Sequence, residues 1–104
     1  MRLLYALLTL LVAGLWLHST AVADSGEERG AALANACAAC HGPDGHSQGA
    51  IPSIHSLPTE DFVAALQAFR AGTRQGTVMN RIAKGLDEVD IKAVTAYFAT
   101  LQAQ

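Results

Sequence analysis

The chain has 104 residues, of which 51% are apolar and 15% charged, with a formal net charge of −2. That length allows one domain. The slightly acidic balance excludes a nucleic-acid binder, which selects a basic face.

The first residues stand apart from the rest. Met1-Arg2 gives a short positive start, Leu3 to Leu17 is a nearly uninterrupted apolar stretch, and Ala21-Val22-Ala23 has the small-x-small pattern that a signal peptidase cleaves. Residues 1–23 are expected to be a cleaved signal peptide, leaving 24–104 as one mature domain in the periplasm. The alternative is an uncleaved anchor, but an apolar run of about 15 residues falls short of the roughly 20 that span a bilayer. No stable membrane insertion is expected. Without the leader, 104 minus 23 leaves 81 residues, with nine acidic and six basic side chains and a formal charge of −3. That is near the size at which side chains alone build only a marginal core.

A first helix is predicted from about Glu27 into the Cys37 region, with Ser25 as cap, acids in the first turn and a run of alanines. It delivers Cys37-Ala38-Ala39-Cys40-His41. Two cysteines three apart followed at once by histidine form an attachment site for a c-type haem. Each thiol can add across one vinyl group of the porphyrin, and His41 is then placed to bind the iron from one face. Two other readings compete. A redox dithiol would want a thioredoxin-like strand and helix unit, for which no strand pattern is found. A zinc site using His41 and His55 lacks a second C-x-x-C or a histidine pair to close a tetrahedron. A haem would also act as the staple for so short a chain, so the apo-protein is expected to fold poorly.

The stretch from Gly42 to Pro58 is rich in Gly and Pro, and its glycines at 42, 45 and 49 would let backbone lie close to a flat ring. Within it, the Pro52 carbonyl could accept the proton on the second nitrogen of His41 and so fix the ring. Simple stiffening of the loop is the other reading of Pro52. His46 and His55 sit too few residues beyond His41 to reach the opposite face of a haem, and both are expected to be solvated.

A second helix is predicted over Thr59 to about Ala71, capped by Thr59, with Glu60 and Asp61 at the positive end of its dipole and Gly72 as its stop. Phe62, Val63, Leu66 and Phe69 form its apolar face. A short helix around Asn80 to Lys84 ends at Gly85. The last begins near Asp87, with Asp90 supporting the cap, and presents Ile91, Val94, Phe98 and Leu101 beside Tyr97. The pattern is all-α. Apart from Met1, Met79 is the only methionine. A thioether suits low-spin iron and raises the reduction potential, so Met79 is expected to be the second axial ligand of an electron carrier. Its alternative is core packing, since methionine fills gaps readily. Arg74, Arg81 and Lys84 lie near Met79, where they could pair with propionates, form a docking face, or simply be solvated.

These residues resemble a family. A helix entering Cys37-Ala38-Ala39-Cys40-His41-Gly42, a loop with Pro52, Met79 and an aromatic last helix resemble a class I cytochrome c over the whole mature chain. More narrowly, Gly45, Gly49, Phe69-Arg70-Ala71-Gly72 and Thr77-Val78-Met79-Asn80-Arg81-Ile82-Ala83-Lys84-Gly85 are similar to the cytochrome subunits of flavocytochrome c sulfide dehydrogenases. The resemblance implies an all-α fold wrapped around one covalent haem c held by Cys37 and Cys40, with His41 and Met79 as axial iron ligands. It also implies a flavoprotein (FAD) subunit as electron donor, a soluble acceptor such as another cytochrome, and catalysis on a chain other than this one. Carriers of the c4 and c553 types share part of the pattern, and a free carrier not tied to sulfide is the alternative. A third class, an enzyme or gas sensor with an open iron position, requires Met79 to be off the iron.

Overall fold

The computed structural model describes residues 25–104, so the predicted signal peptide lies outside the described residues. Four helices follow in order: α1 (Ser25–His41), α2 (Thr59–Ala71), α3 (Met79–Lys84) and α4 (Glu88–Gln102), with a 3-10 turn at Pro43–Gly45 after α1. The described residues contain no strand. The expectation of an all-α chain is met.

The helix ends show which local signals acted. At α4, the Asp87 carboxylate accepts from the Asp90 N–H at 2.8 Å, and the Asp90 carboxylate accepts from the Asp87 N–H at 3.0 Å. This reciprocal pair satisfies two orphan donors of the first turn. α2 stops where expected, at Gly72 in the left-handed region (φ 78°). Its start differs from expectation: Thr59 is the first helical residue, Pro58 occupies the cap position, and no side chain caps the end. The φ of −53° at Pro58 is the one its ring imposes and suits a helix entry, so the helix starts one residue earlier than expected and Thr59 falls inside its first turn. α1 begins at Ser25 and runs through both cysteines to His41.

α1 packs on α4, and α2 packs on both α3 and α4. The α1–α4 crossing is close because Gly30 has no side chain: a Cβ there would stand 2.5 Å from the Ala93 carbonyl oxygen and 3.1 Å from the Tyr97 Cβ. Arg29 beside it donates to Asp90 at 2.6 Å and approaches Asp87 at 3.6 Å, pinning the two helices at their edge. Beneath, Ile91, Val94 and Phe98 of α4 are fully buried and meet Phe62 and Leu66 of α2, Ala34 of α1 and Ile54 of the loop. The Phe62 and Phe98 rings lie 5.3 Å apart in a tilted pair, within the range where aromatic contact adds to burial.

Among the described residues, seven apolar side chains make up the buried cluster. At about 1.5–3 kcal/mol for each large side chain, it is a small core set against the ordering entropy of some 80 residues. The chain is accordingly one that gains from a covalently held apolar group.

Candidate haem site

The C-terminal turn of α1 supplies the first donors. Cys37 and Cys40 lie one turn apart, so their side chains leave the same helix face. Cys37 is half-buried against the core, Cys40 is exposed, and both are free thiols. Burial pushes the Cys37 thiol up from its ordinary value, which keeps it protonated near neutrality. That is the opposite of the lowered value a redox-active dithiol uses. Among the described residues there is also no group of three or more His, Cys, Asp or Glu side chains that could hold a metal ion. The zinc reading therefore finds no support there.

His41 ends α1, and the chain turns sharply at Gly42. That residue has φ 87°, and a Cβ on it would come within 2.0 Å of the His46 carbonyl oxygen. The Pro43–Gly45 turn and the pairing of the Ile54 N–H with the Gly45 carbonyl at 2.9 Å bring the loop back across the helix end. Gln102 of α4 holds the far side of that loop, donating to the His55 carbonyl at 2.6 Å and to the Leu57 carbonyl at 2.8 Å. The result is that the Pro52 carbonyl lies 2.6 Å from His41 Nδ1. A carbonyl only accepts, so this bond puts the ring proton on Nδ1 and leaves the Nε2 lone pair available. Of the two readings of Pro52, the structure selects the hydrogen-bond acceptor.

Met79 is the first residue of α3 and is partly buried against the edge of the core. The next residue, Asn80, makes three side-chain hydrogen bonds that tie the 72–78 connection together. Sequence reasoning passed over Asn80. The available signal was an amide set directly after a Gly- and Thr-containing loop, where asparagine side chains commonly bond to backbone.

His55 departs from expectation. His46 is exposed, but His55 is half-buried, the two rings stack at 3.5 Å between centroids, and His55 Nδ1 is buried without a partner. Solvation is met for His46 and corrected for His55, which lies half-buried beneath the His46 ring. Of the basic residues, Arg81 and Lys84 are exposed, and Arg74 places its guanidinium 4.6 Å from the Phe69 ring centroid. Arg70 instead pairs with Glu88 and donates to the Leu86 carbonyl at 3.2 Å, joining α2 to the start of α4.

Two thiols, an imidazole with its acceptor nitrogen free and a thioether form a donor set suited to a c-type haem. Ile51, next to the Pro52 that binds His41, and Val78 and Ile82, before and one turn after Met79, are large apolar side chains exposed at 43%, 57% and 53%. Apolar side chains left exposed at these positions in the chain fit a flat apolar group. The family model for cytochrome c matches residues 27–102, from the first turn of α1 to the last residue of α4.

The chain belongs to the cytochrome c family.

This cytochrome accordingly carries covalently bound haem c and transfers electrons, on an all-α class I fold. It is 44% identical over 75 residues to the cytochrome subunit of sulfide dehydrogenase from Chlorobaculum tepidum, a match covering 72% of this chain and 68% of that protein. Similarity to a cytochrome c-553 of Desulfomicrobium norvegicum is 32% over 80 residues, covering 74% of this chain and 96% of that one. A thiosulfate dehydrogenase electron acceptor of Stutzerimonas stutzeri is 36% identical over 69 residues, but the match covers 62% of this chain and only 32% of that protein. No helix among the described residues is long and apolar enough to cross a membrane.

Proposed function

We propose that this cytochrome is the electron-transfer subunit of a sulfide dehydrogenase. It takes electrons from a separate flavoprotein (FAD) chain, on which catalysis resides, and passes them to a soluble acceptor such as another cytochrome. It works in the periplasm after removal of residues 1–23. Cys37 and Cys40 hold the haem through thioethers, and His41 Nε2 and the Met79 sulfur are its axial ligands. When bound, the haem supplies a one-electron couple. The chain's own part is to orient the ligands, cover the ring and keep water from it.

The observation that carries the ligation is the His41–Pro52 hydrogen bond. It presents Nε2 with a fixed tautomer and ring orientation, as such outer partners do for metal-bound histidines. The partner assignment rests on the 44% identity to the cytochrome subunit from Chlorobaculum tepidum. A second reading, a free carrier, is favoured by the match to nearly the whole length of the Desulfomicrobium norvegicum cytochrome c-553.

The deciding experiment is an absorption spectrum of the protein purified gently from its native periplasm, recorded before and after limiting sulfide. The separately expressed cytochrome serves as control for direct chemical reduction. Copurifying flavin bands, with haem reduction much faster than in the control, are the expected result. Haem bands without flavin, reducing no faster than the control, would reject the subunit reading in favour of the free carrier.

A further inference from the structure

The amide of Asn80 is fully engaged. Nδ2 donates to the Phe69 carbonyl at 2.9 Å and to the Arg74 carbonyl at 2.7 Å, while Oδ1 accepts from the Gly76 N–H at 2.9 Å. One side chain thereby links the last turn of α2, the middle of the 72–78 connection and the first turn of α3. The connection has no helix or strand of its own, and Val78 at the start of α3 supplies no side-chain cap.

The Val78 carbonyl opens α3, accepting from the Arg81 and Ile82 N–H at 3.0 and 3.1 Å, while the contacts of residues 73–76 fasten the connection backwards, to α2. Thr73 and Arg74 both donate their N–H to the Ala68 carbonyl, at 3.0 and 3.2 Å. Arg74 sits over the Phe69 ring, and Gly76 passes so near it that a Cβ would come within 2.9 Å of the ring edge. Asn80 carries the tie forward, to the residue next to Met79. A neutral thioether has no charge to draw it to iron, so where its sulfur stands depends on the backbone that presents it.

We propose that Asn80 is a positioning residue for the iron ligand: its three hydrogen bonds fix the backbone that presents Met79. The proposal rests on the reading of Met79 as ligand. The bonding pattern is selective, because two donors and one acceptor at the tip of a short side chain describe a primary amide. Aspartate has the same shape and keeps the acceptor for Gly76, but when ionised it turns an oxygen, in place of a donor, toward the two carbonyls. Asn80→Asp should therefore resemble Asn80→Ala and not the parent.

The test uses the haem-loaded protein in five forms: parent, Asn80→Asp, Asn80→Ala, Met79→Ala and Asp90→Ala. Asp90 caps α4 and pairs with Arg29 at the α1–α4 edge, away from the loops that carry Pro52 and Met79, so its variant reports general loosening. Four quantities are read: the sulfur-to-ferric-iron charge-transfer band, the affinity of the ferric protein for added imidazole, the reduction potential and the thermal midpoint. Loss of these hydrogen bonds should raise imidazole affinity about tenfold or more in both Asn80 variants. Their potential should fall as well. Asp90→Ala should melt earlier while keeping the parent's imidazole affinity and potential.

Asn80 variants with the parent's affinity and potential, whatever their melting points, would overturn the proposal, as would an equal shift in Asp90→Ala. If Met79→Ala keeps the charge-transfer band, the ligand assignment itself has failed and the positioning role falls with it. A band lost in Met79→Ala but unaltered affinity in the Asn80 variants removes Asn80 alone. Should Asn80→Ala not accumulate, Asn80→Asp carries the comparison.

Discussion

Gly30 sets two effects of similar size against each other. Glycine inside α1 is unfavourable by roughly 0.8–1.0 kcal/mol relative to alanine, so Gly30→Ala in an isolated helix would be stabilising. Here the new Cβ would stand 2.5 Å from the Ala93 carbonyl oxygen, and real Cβ contacts essentially never fall below 3.0 Å. α1 and α4 must then part by about 0.5 Å, the difference of those two distances. The obstructing atom is backbone, which cannot rotate away, and the face being opened is the one that buries Ile91, Val94 and Phe98. Overpacking of this kind costs typically about 1–3 kcal/mol. Because that range lies at or above the propensity gain, Gly30→Ala should be net destabilising by about 1 kcal/mol, a fall in melting temperature of about 4–8 °C for a domain of this size. Gly30→Val, with two more methyl groups at the crossing, should fall further. The assay is denaturant and thermal unfolding of the ferric haem-loaded protein. Ala32→Gly, at an exposed position of the same helix, supplies the propensity effect alone and should lose up to about 1 kcal/mol. A Gly30→Ala protein as stable as the parent, alongside an Ala32→Gly loss of that size, would refute the close crossing.

Met79→Ala should retain covalently attached haem but lose the sulfur-to-iron charge-transfer band, with a lower reduction potential; an unchanged spectrum would remove Met79 from the iron. The Asp90 carboxyl is held below its ordinary range, first by the hydrogen bond from Arg29. A lowered folded value gives stability that is fully present above the unfolded pKa, near 4, and lost as pH falls through the folded value. Asp90→Asn should therefore flatten the acid limb of unfolding free energy against pH, measured in denaturant titrations from pH 6 downward; an acid limb as steep as the parent's would dismiss the pair as a source of acid sensitivity. If Arg74, Arg81 and Lys84 form a docking face, Arg74→Ala and Arg81→Ala should each lessen the salt dependence of electron transfer to a partner. Rates that vary with ionic strength as in the parent would leave these side chains merely solvated.

What was readable in the sequence is what short-range chemistry decides. The Cys37–His41 motif, the Asp87–Asp90 box and the Gly72 stop each act within a few residues, and the structure places each at the expected helix end. The apolar faces of α2 and α4 were legible for the same reason: their periodicity is local, and Phe62, Leu66, Ile91, Val94 and Phe98 are all buried. Pro52 was undecided because its contact with His41 spans 11 positions of irregular chain, and only the return of the loop determines whether the carbonyl arrives. The Asn80 bonds to Phe69, and the stacking of His46 on His55, likewise need the path of a loop that no periodicity encodes. Thr59 shows the converse: a good capping residue was present, but Pro58 before it already set the helix entry.

The Arg29–Asp90 ion pair joins positions 61 apart, near the two ends of the described chain. A polypeptide emerging N-terminus first presents both thiols well before Ile91, Val94 and Phe98 exist to complete the core against which Cys37 packs. On the proposed attachment at Cys37 and Cys40, thioether formation thus has an interval in which Cys37 is open to solvent, before α4 packs over it. The same order makes the C-terminal helix a checkpoint. A chain interrupted anywhere before α4 keeps both thiols but lacks Ile91, Val94 and Phe98, the most deeply buried large side chains of the core.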